Sequence, residues 1–222
     1  MSYFVFEGVD GVGKTTVMKA VATRLLALGK QIVLTKEPGG PKALADEWGH
    51  MPLPLAASMG MPYQNFRALC VNNMQIPQKV KRALYLADSF YNWESVVEPA
   101  LAEGKIVLSD RSWVSDLAYG STLAGASFEA LRQFNSSLLP LRESLTNVIW
   151  LHAPEDVREE RLKKSSVDGM DKLGKEVRNE IANNYDYLLV EPNWLKLSVK
   201  QVNTAGLVEE FTEEIVNWII AQ

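Results

Sequence analysis

Gly8-Val9-Asp10-Gly11-Val12-Gly13-Lys14-Thr15-Thr16 is a G-x-x-x-x-G-K-T stretch that follows the apolar run Tyr3-Phe4-Val5-Phe6 and precedes a helical pattern. Glycines let a backbone close into a tight concavity whose N–H groups converge on phosphate oxygens, and the following helix adds its positive N-terminal end. Lys14 is then placed to reach β- and γ-phosphates. The Thr15 hydroxyl is placed to hold Mg²⁺, an octahedral ion that takes few protein ligands beside phosphate and water. The chemistry this stretch predicts is the binding of a nucleoside triphosphate.

Three other segments carry groups of the right kind. Asp110-Arg111 follows Ile106-Val107-Leu108-Ser109. An acidic residue at a strand end beside such a loop can hold Mg²⁺ through water, as a Walker B aspartate does, and Arg111 can brace phosphate oxygens with its planar fork. Lys36-Glu37-Pro38-Gly39-Gly40-Pro41 is turn-rich and follows a strand pattern, at the edge where open α/β sheets bind ligands. The run Lys163-Lys164-Ser165-Ser166-Val167-Asp168-Gly169, continuing to Lys172, is a charged break between helical patterns. Beside a phosphate site it reads as a lid that closes over ATP and delivers cations to the transferring group.

Periodicity supplies the elements that must position these residues. Residues 2–7 read as a buried strand, and Val17, Val21, Leu25 and Leu28 recur at helical spacing up to Gly29, a C-terminal stop. Residues 31–35 form the next strand. This βαβ unit, with its right-handed crossover, predicts a parallel sheet. Residues 80–101 predict a helix with Leu84, Ala87, Tyr91 and Val96 or Val97 on its buried stripe and Asp88 and Glu94 off it; Pro99 either interrupts it or opens a new first turn. Residues 106–109, 148–151 and 195–199 are further strands. Helices are expected over 113–121, over 127–139 with Phe128, Leu131, Phe134 and Leu138 on one face, and from Pro154-Glu155-Asp156 through Val157, Arg161 and Leu162. Leu207, Phe211, Ile215, Trp218 and Ile219 mark the buried stripe of a last helix. The sum is one α/β P-loop domain over residues 1–222, a five-stranded parallel sheet between helical layers. Residues 48–80, rich in Pro, Gly and Met, read as a cap-like insertion.

Composition narrows the function. With 23 Lys and Arg against 27 Asp and Glu the formal charge is −4, and no basic run or basic-aromatic repeat occurs, so nucleic acid is not an expected partner. The one cysteine, Cys70, can form neither an internal disulfide nor a cysteine metal cluster and fits a buried apolar role in a reducing compartment. No apolar stretch approaches the roughly 18 residues that span a bilayer, and no secretory leader precedes the first strand, so no membrane association and a cytoplasmic location are expected.

Further segments, in order along the chain, resemble the thymidylate kinase family of nucleoside monophosphate kinases. They are Phe6 through Thr16, Thr35-Lys36-Glu37-Pro38-Gly39-Gly40, Leu84-Tyr85-Leu86-Ala87-Asp88, and Asp110-Arg111-Ser112-x-x-Ser115-x-x-Ala118-Tyr119, with weaker support from Pro154-Glu155-x-x-x-x-x-Arg161 and Tyr185. The resemblance implies strand order 2-3-1-4-5, a homodimer, Mg²⁺, ATP as donor and a deoxynucleoside monophosphate as acceptor. It implies that Lys14 and the loop hold ATP, that Asp10 lies near the acceptor sugar and phosphate, and that Glu37 and Pro38 line the acceptor pocket. Tyr85 would stack on the base, Arg111 would bind the acceptor or transferring phosphate, and Ser115 and Tyr119 would line the nucleoside site. The chain departs from the family pattern at Ser89, where an arginine contacting base and phosphate is usual, and at Ser112, where a tyrosine is usual. Gly11 stands where some members carry a catalytic arginine, so a lid cation should compensate, with Lys163, Lys164 and Lys172 as candidates.

Phosphoryl transfer to a phosphate oxygen needs no strong base, and its catalysis is positioning plus charge stabilisation. A nucleoside kinase would instead need a base, such as Glu37 or Asp110, beside a 5′-hydroxyl. A dNMP kinase of other or broad base specificity, and a regulatory nucleotide-binding protein, are further alternatives. The chain has no Asn-Lys-x-Asp guanine signature.

Overall fold

The computed structural model describes residues 2–40, 76–164, 173–190, 195 and 197–222. Its centre is β1 (Tyr3–Glu7), every residue of which is buried. Such a continuous apolar run is what a parallel strand covered on both faces requires. Side chains alternate across it: Phe4 and Phe6 pack with α1 (Lys14–Ala27) and the last helix, while Tyr3 and Val5 pack with Trp93, Trp113 and Leu117 on the other face.

The sheet has five strands in the order β2-β3-β1-β4-β5, all pairs parallel. The expected topology is therefore present. The chain runs from α1 to β2 (Ile32–Lys36), then α2 (Gln78–Asn92), a π-helical turn (Trp93–Val97), α3 (Glu98–Ala102) and β3 (Ile106–Asp110). It continues through α4 (Trp113–Ala124), α5 (Phe128–Leu138), α6 (Arg142–Leu145), β4 (Thr146–His152), α7 (Glu155–Lys164), α8 (Lys175–Val190), β5 (Ser198–Asn203) and α9 (Val208–Ala221). α1 ends as expected: Gly29 has φ 73°, and Lys30 N–H donates to the Leu25 carbonyl at 3.1 Å, which satisfies a terminal carbonyl. Pro99 sits in the first turn of α3.

Several sequence expectations are corrected. The fifth strand is Ser198–Asn203 rather than 195–199, because its ladder runs from Asn147 opposite Ser198 to His152 opposite Asn203, and pairing rather than alternation sets its bounds. On α2 the buried positions are Lys81, Leu86, Asp88, Ser89 and Asn92, whereas Ala87 and Tyr91 are exposed. Beside Leu86 and the partly buried Phe90, the inward face of the helix carries polar residues in place of the Ala87 and Tyr91 of its expected stripe. On α5 Leu131 is buried, but Phe134 and Leu138 lie on the surface. Leu28 and Leu207, at helix ends, are likewise exposed. Of the insertion expected at 48–80, residues 48–75 lie outside the described residues, as does Cys70; Gln78–Val80 already belong to α2. Lys163 and Lys164 close α7, and residues 165–172 lie outside the described residues. No helix among the described residues is long and apolar enough to cross a membrane.

Candidate functional site

Phe6 of β1 and Lys36 of β2 both stand opposite Asp110 of β3, so the carboxyl ends of three strands deliver Glu7-Gly8, Glu37 and Arg111 to one edge. The phosphate loop is wedged there. A Cβ on Gly8, at φ 138°, would sit 2.4 Å from the Leu151 carbonyl oxygen, and one on Gly11, at φ 82°, would sit 2.9 Å from the Arg158 carbonyl oxygen. Both positions require glycine for space and for conformation. Gly13 then caps α1, aiming that helix's N-terminus into the loop.

Lys14 is buried and folds back on the loop, donating from Nζ to the carbonyls of Gly8 at 2.9 Å and Val9 at 3.0 Å, 3.8 Å from Asp10. Burial, aided by nearby Arg111, pushes its pKa down to about 8. Arg111 is the one non-glycine residue with positive φ, at 71°, among the described residues. Its carbonyl accepts from Ser109 Oγ at 2.7 Å. Its guanidinium donates to Asp10 at 2.5 Å and Ser115 Oγ at 3.4 Å and lies 4.9 Å from the Tyr119 ring centre. A left-handed backbone costs an ordinary residue on the order of 1–2 kcal/mol, and the surrounding contacts hold it there. Tyr119 also donates to Asp10, at 3.5 Å. Burial would raise the Asp10 pKa, but Arg111 and then Lys14 outweigh it and hold the carboxyl below its ordinary value.

Asp110 is buried beside Lys36, 3.7 Å away, and its Oδ1 has no hydrogen-bond partner among the described residues. Thr15 is half-buried at the start of α1. The structure thus gathers Asp10, Lys14, Thr15, Asp110, Arg111, Ser115 and Tyr119 at one edge.

Beneath them lie Glu7, Ser112 and Tyr185, which belong to the family-like segments but were given no contact in the site from sequence. Glu7 is fully buried and accepts from Ser112 Oγ at 2.7 Å, Ser115 Oγ at 2.6 Å and Tyr185 Oη at 2.9 Å. Burial raises its pKa, against the pull of those hydroxyls. Ser112 also caps α4, accepting from Val114 N–H at 3.2 Å. A glutamate closing an otherwise apolar strand pattern was the available signal for Glu7; nothing local marks Tyr185 as its partner.

A second cluster forms where the chain leaves β2. Thr35 donates to Asn92 Oδ1 at 2.6 Å, Gly39 N–H donates to Asp88 Oδ2 at 2.5 Å, and between them Glu37 accepts from Ser89 Oγ at 2.6 Å and Asn92 Nδ2 at 3.4 Å. Arg142, which no sequence argument singled out, donates to both Glu37 and Ser89. Pro38 follows through a cis peptide bond, and Tyr85 lies half-buried one helical turn before Ser89. Burial pushes the Asp88 carboxyl up to about 6, with Gly39 N–H opposing and Glu37 adding to the rise.

Lys164 is not brought to this edge: it is 74% exposed and paired with Glu160 at 2.6 Å, and Lys172 lies outside the described residues. The inner side of α7 instead presents Arg161, which donates to the Thr204 carbonyl at 2.6 Å and the Gly11 carbonyl at 3.4 Å. Arg158 lines a small cleft with Val9, Asp10, Tyr119 and Arg178.

The family model for thymidylate kinase matches residues 6–43 and 64–215. The chain is 30% identical over 220 residues to a thymidylate kinase of Helicobacter pylori (strain P12), covering 98% of this chain and 97% of the relative. The chain belongs to the thymidylate kinase family. It is a nucleoside monophosphate kinase, a phosphotransferase of the thymidylate kinase type that draws on ATP. A thymidylate kinase of Exiguobacterium sibiricum is 25% identical, covering 98% of this chain and 95% of the relative, and one of Acinetobacter baumannii (strain AYE) is 33% identical over 68% and 67%. The family match leaves out residues 44–63, which overlap the insertion expected from sequence, and includes Ser89, Arg111 and Arg142.

Proposed function

We propose that the chain transfers the γ-phosphoryl group of Mg-ATP to thymidine monophosphate or a related deoxynucleoside monophosphate, yielding the diphosphate. The observation that carries this reading is the commitment of Glu37. Its carboxylate is ion-paired with Arg142 and accepts from Ser89 and Asn92, which fits a fixed hydrogen-bond acceptor rather than a base that takes up the proton of a 5′-hydroxyl, while Asp110 lies against Lys36. An acceptor phosphate oxygen is already anionic and asks for no base, so a monophosphate fits this edge better than a nucleoside.

The donor phosphates lie in the Gly8–Thr16 loop. Lys14 exchanges its two carbonyl acceptors for β- and γ-phosphate oxygens, a stronger, charge-assisted pairing. Arg111, oriented by Asp10 and Ser115, braces the phosphate that is attacked or transferred. Glu37 and Pro38 wall the acceptor pocket, Tyr85 stacks on its base, and Ser115 and Tyr119 line the nucleoside. The Thr15 hydroxyl and Asp110, with its bare buried oxygen, suit Mg²⁺, which when bound neutralises charge on the triphosphate. From the lid side Lys164 and Lys172 are the cations of this scheme; Lys164 must first leave Glu160. The family resemblance supports a homodimer, and the lone Cys70 suits the reducing cytoplasm.

A coupled assay with Mg-ATP and a panel of dTMP, dUMP, dCMP, dGMP, GMP and thymidine tests this. Turnover of dTMP with none of thymidine is the expected result. Phosphorylation of thymidine in preference to every monophosphate overturns it.

A further inference from the structure

Arg142 is anchored far from where it acts. Its carbonyl accepts from Thr146 Oγ1 at 2.7 Å, at the amino end of β4, yet its guanidinium reaches Glu37 beyond the carboxyl end of β2. Only 2% of the side chain is exposed, and its partner carboxylate is 5% exposed. The Trp93 ring centre lies 5.5 Å from the guanidinium carbon. One terminal nitrogen donates to Ser89 Oγ at 2.7 Å and the other to Glu37 Oε1; Ser89 Oγ in turn donates to Glu37 Oε2 at 2.6 Å. Arginine, serine and glutamate thus close a ring of hydrogen bonds around one carboxylate. Only a short hydroxyl side chain at position 89 can both accept from the arginine and donate to the glutamate in so little space.

Stability is a poor reason for this arrangement. A buried ion pair gains little over apolar packing of the same shape, and Arg142 Nε is left without a hydrogen-bond partner among the described residues. What the ring does secure is direction. A carboxylate offers about four lone-pair sites. Arg142 and Asn92 take those on Oε1, and Ser89 takes one on Oε2. Among the described residues, one site on Oε2 is left to accept an N–H or O–H group.

We propose that Arg142 is a positioning residue of the acceptor site, fixing the Glu37 carboxylate through Ser89 so that its free Oε2 site accepts a ring N–H or sugar hydroxyl of the nucleotide acceptor. This rests on the reading of Glu37 as a wall of the acceptor pocket. Because Arg142 acts through Glu37, it governs capture of the acceptor and not the charge on the transferring phosphoryl group.

The test measures kcat and both KM values with Mg-ATP and thymidine monophosphate for wild type, Glu37→Gln, Arg142→Lys, Arg142→Met and the double variant Glu37→Gln/Arg142→Met, with thermal melts of each. The double variant removes both buried charges together and guards against a single variant that fails to fold. Loss of orientation in Arg142→Met is expected to raise the acceptor KM on the order of tenfold with the ATP KM unchanged and kcat within about threefold. Arg142→Lys, which keeps the charge but not the fork, falls between it and wild type. The double variant matches Glu37→Gln alone, since one residue works through the other. If Glu37→Gln raises the acceptor KM while the Arg142 variants only lower the melting temperature, Arg142 is a structural bolt and the proposal fails. An acceptor KM unmoved by Glu37→Gln overturns the pocket reading itself.

Discussion

In the proposed donor half of the site the groups set to face phosphate come from consecutive residues between Gly8 and Thr16, mostly from backbone, whereas the proposed acceptor wall draws Glu37 from a loop, Ser89 and Asn92 from α2 and Arg142 from α6, and is built from side chains. The two halves fail differently. A backbone cradle is held by steric exclusion: Leu151 and Arg158 leave no room for a Cβ at Gly8 or Gly11. A side-chain wall is held by mutual hydrogen bonding, so each member depends on the others and one change disturbs several contacts.

The largest effect belongs to the donor half. Lys14→Ala leaves a fold built on β1 and α1 intact but removes the cation proposed to meet the triphosphate. A loss in kcat on the order of 10²–10³ is expected, as for removal of one pre-organised charge-stabilising group, with the circular dichroism spectrum preserved. Near-normal turnover would mean that the loop does not hold the donor phosphates.

On the acceptor side the sharpest disturbance is Ser89→Arg. It sets a second guanidinium beside Arg142 against the single Glu37 carboxylate and deletes the hydroxyl that joins them. Leaving a buried cation uncompensated costs about 3 kcal/mol or more, to be read as a lower melting temperature. Adding Arg142→Met should recover most of it. Failure of that rescue would separate positions 89 and 142, against the closed ring.

Asp88 gives a smaller, pH-dependent effect. Its folded pKa is about 6 against an ordinary value of 3.8, so the folded state holds the proton more tightly than the unfolded chain. The stabilisation is complete below pH 3.8 and is lost as pH rises through about 6. Asp88→Asn keeps an oxygen for Gly39 N–H and lacks that loss. Its advantage over wild type should grow from pH 4 to 6 and then level off, at on the order of 2 kcal/mol in urea unfolding. A constant difference across that range would show that Asp88 does not carry the proton.

How much of each half could be read from sequence follows the same division. The phosphate loop lies between a strand and a helix whose periods are plain, so its place and its partners Asp110 and Arg111 are legible along the chain. The parallel sheet follows from the βαβ pattern for the same reason. The acceptor wall is legible only in part. Glu37 and Ser89 stand in recognisable segments, but α2 was expected to bury Leu84, Ala87 and Tyr91, and it turns Asp88, Ser89 and Asn92 inward instead, because Gly39, Glu37 and Thr35 supply their partners. Periodicity ranks apolar faces and cannot see such partners. Arg142 is further out of reach, in a four-residue helix that has no pattern of its own. Glu7 shows the same limit, since its three hydroxyl donors come from α8 and from the start of α4.

The division of the site into a backbone-held donor half and a side-chain-held acceptor half is tested most directly by crossed calorimetric titrations. ATP and thymidine monophosphate are each titrated into wild type, Lys14→Ala and Arg142→Lys. The expected result is that Lys14→Ala loses ATP affinity and keeps the monophosphate, while Arg142→Lys keeps ATP affinity and binds the monophosphate more weakly than wild type. Equal weakening of both ligands by either variant would contradict two separately built halves.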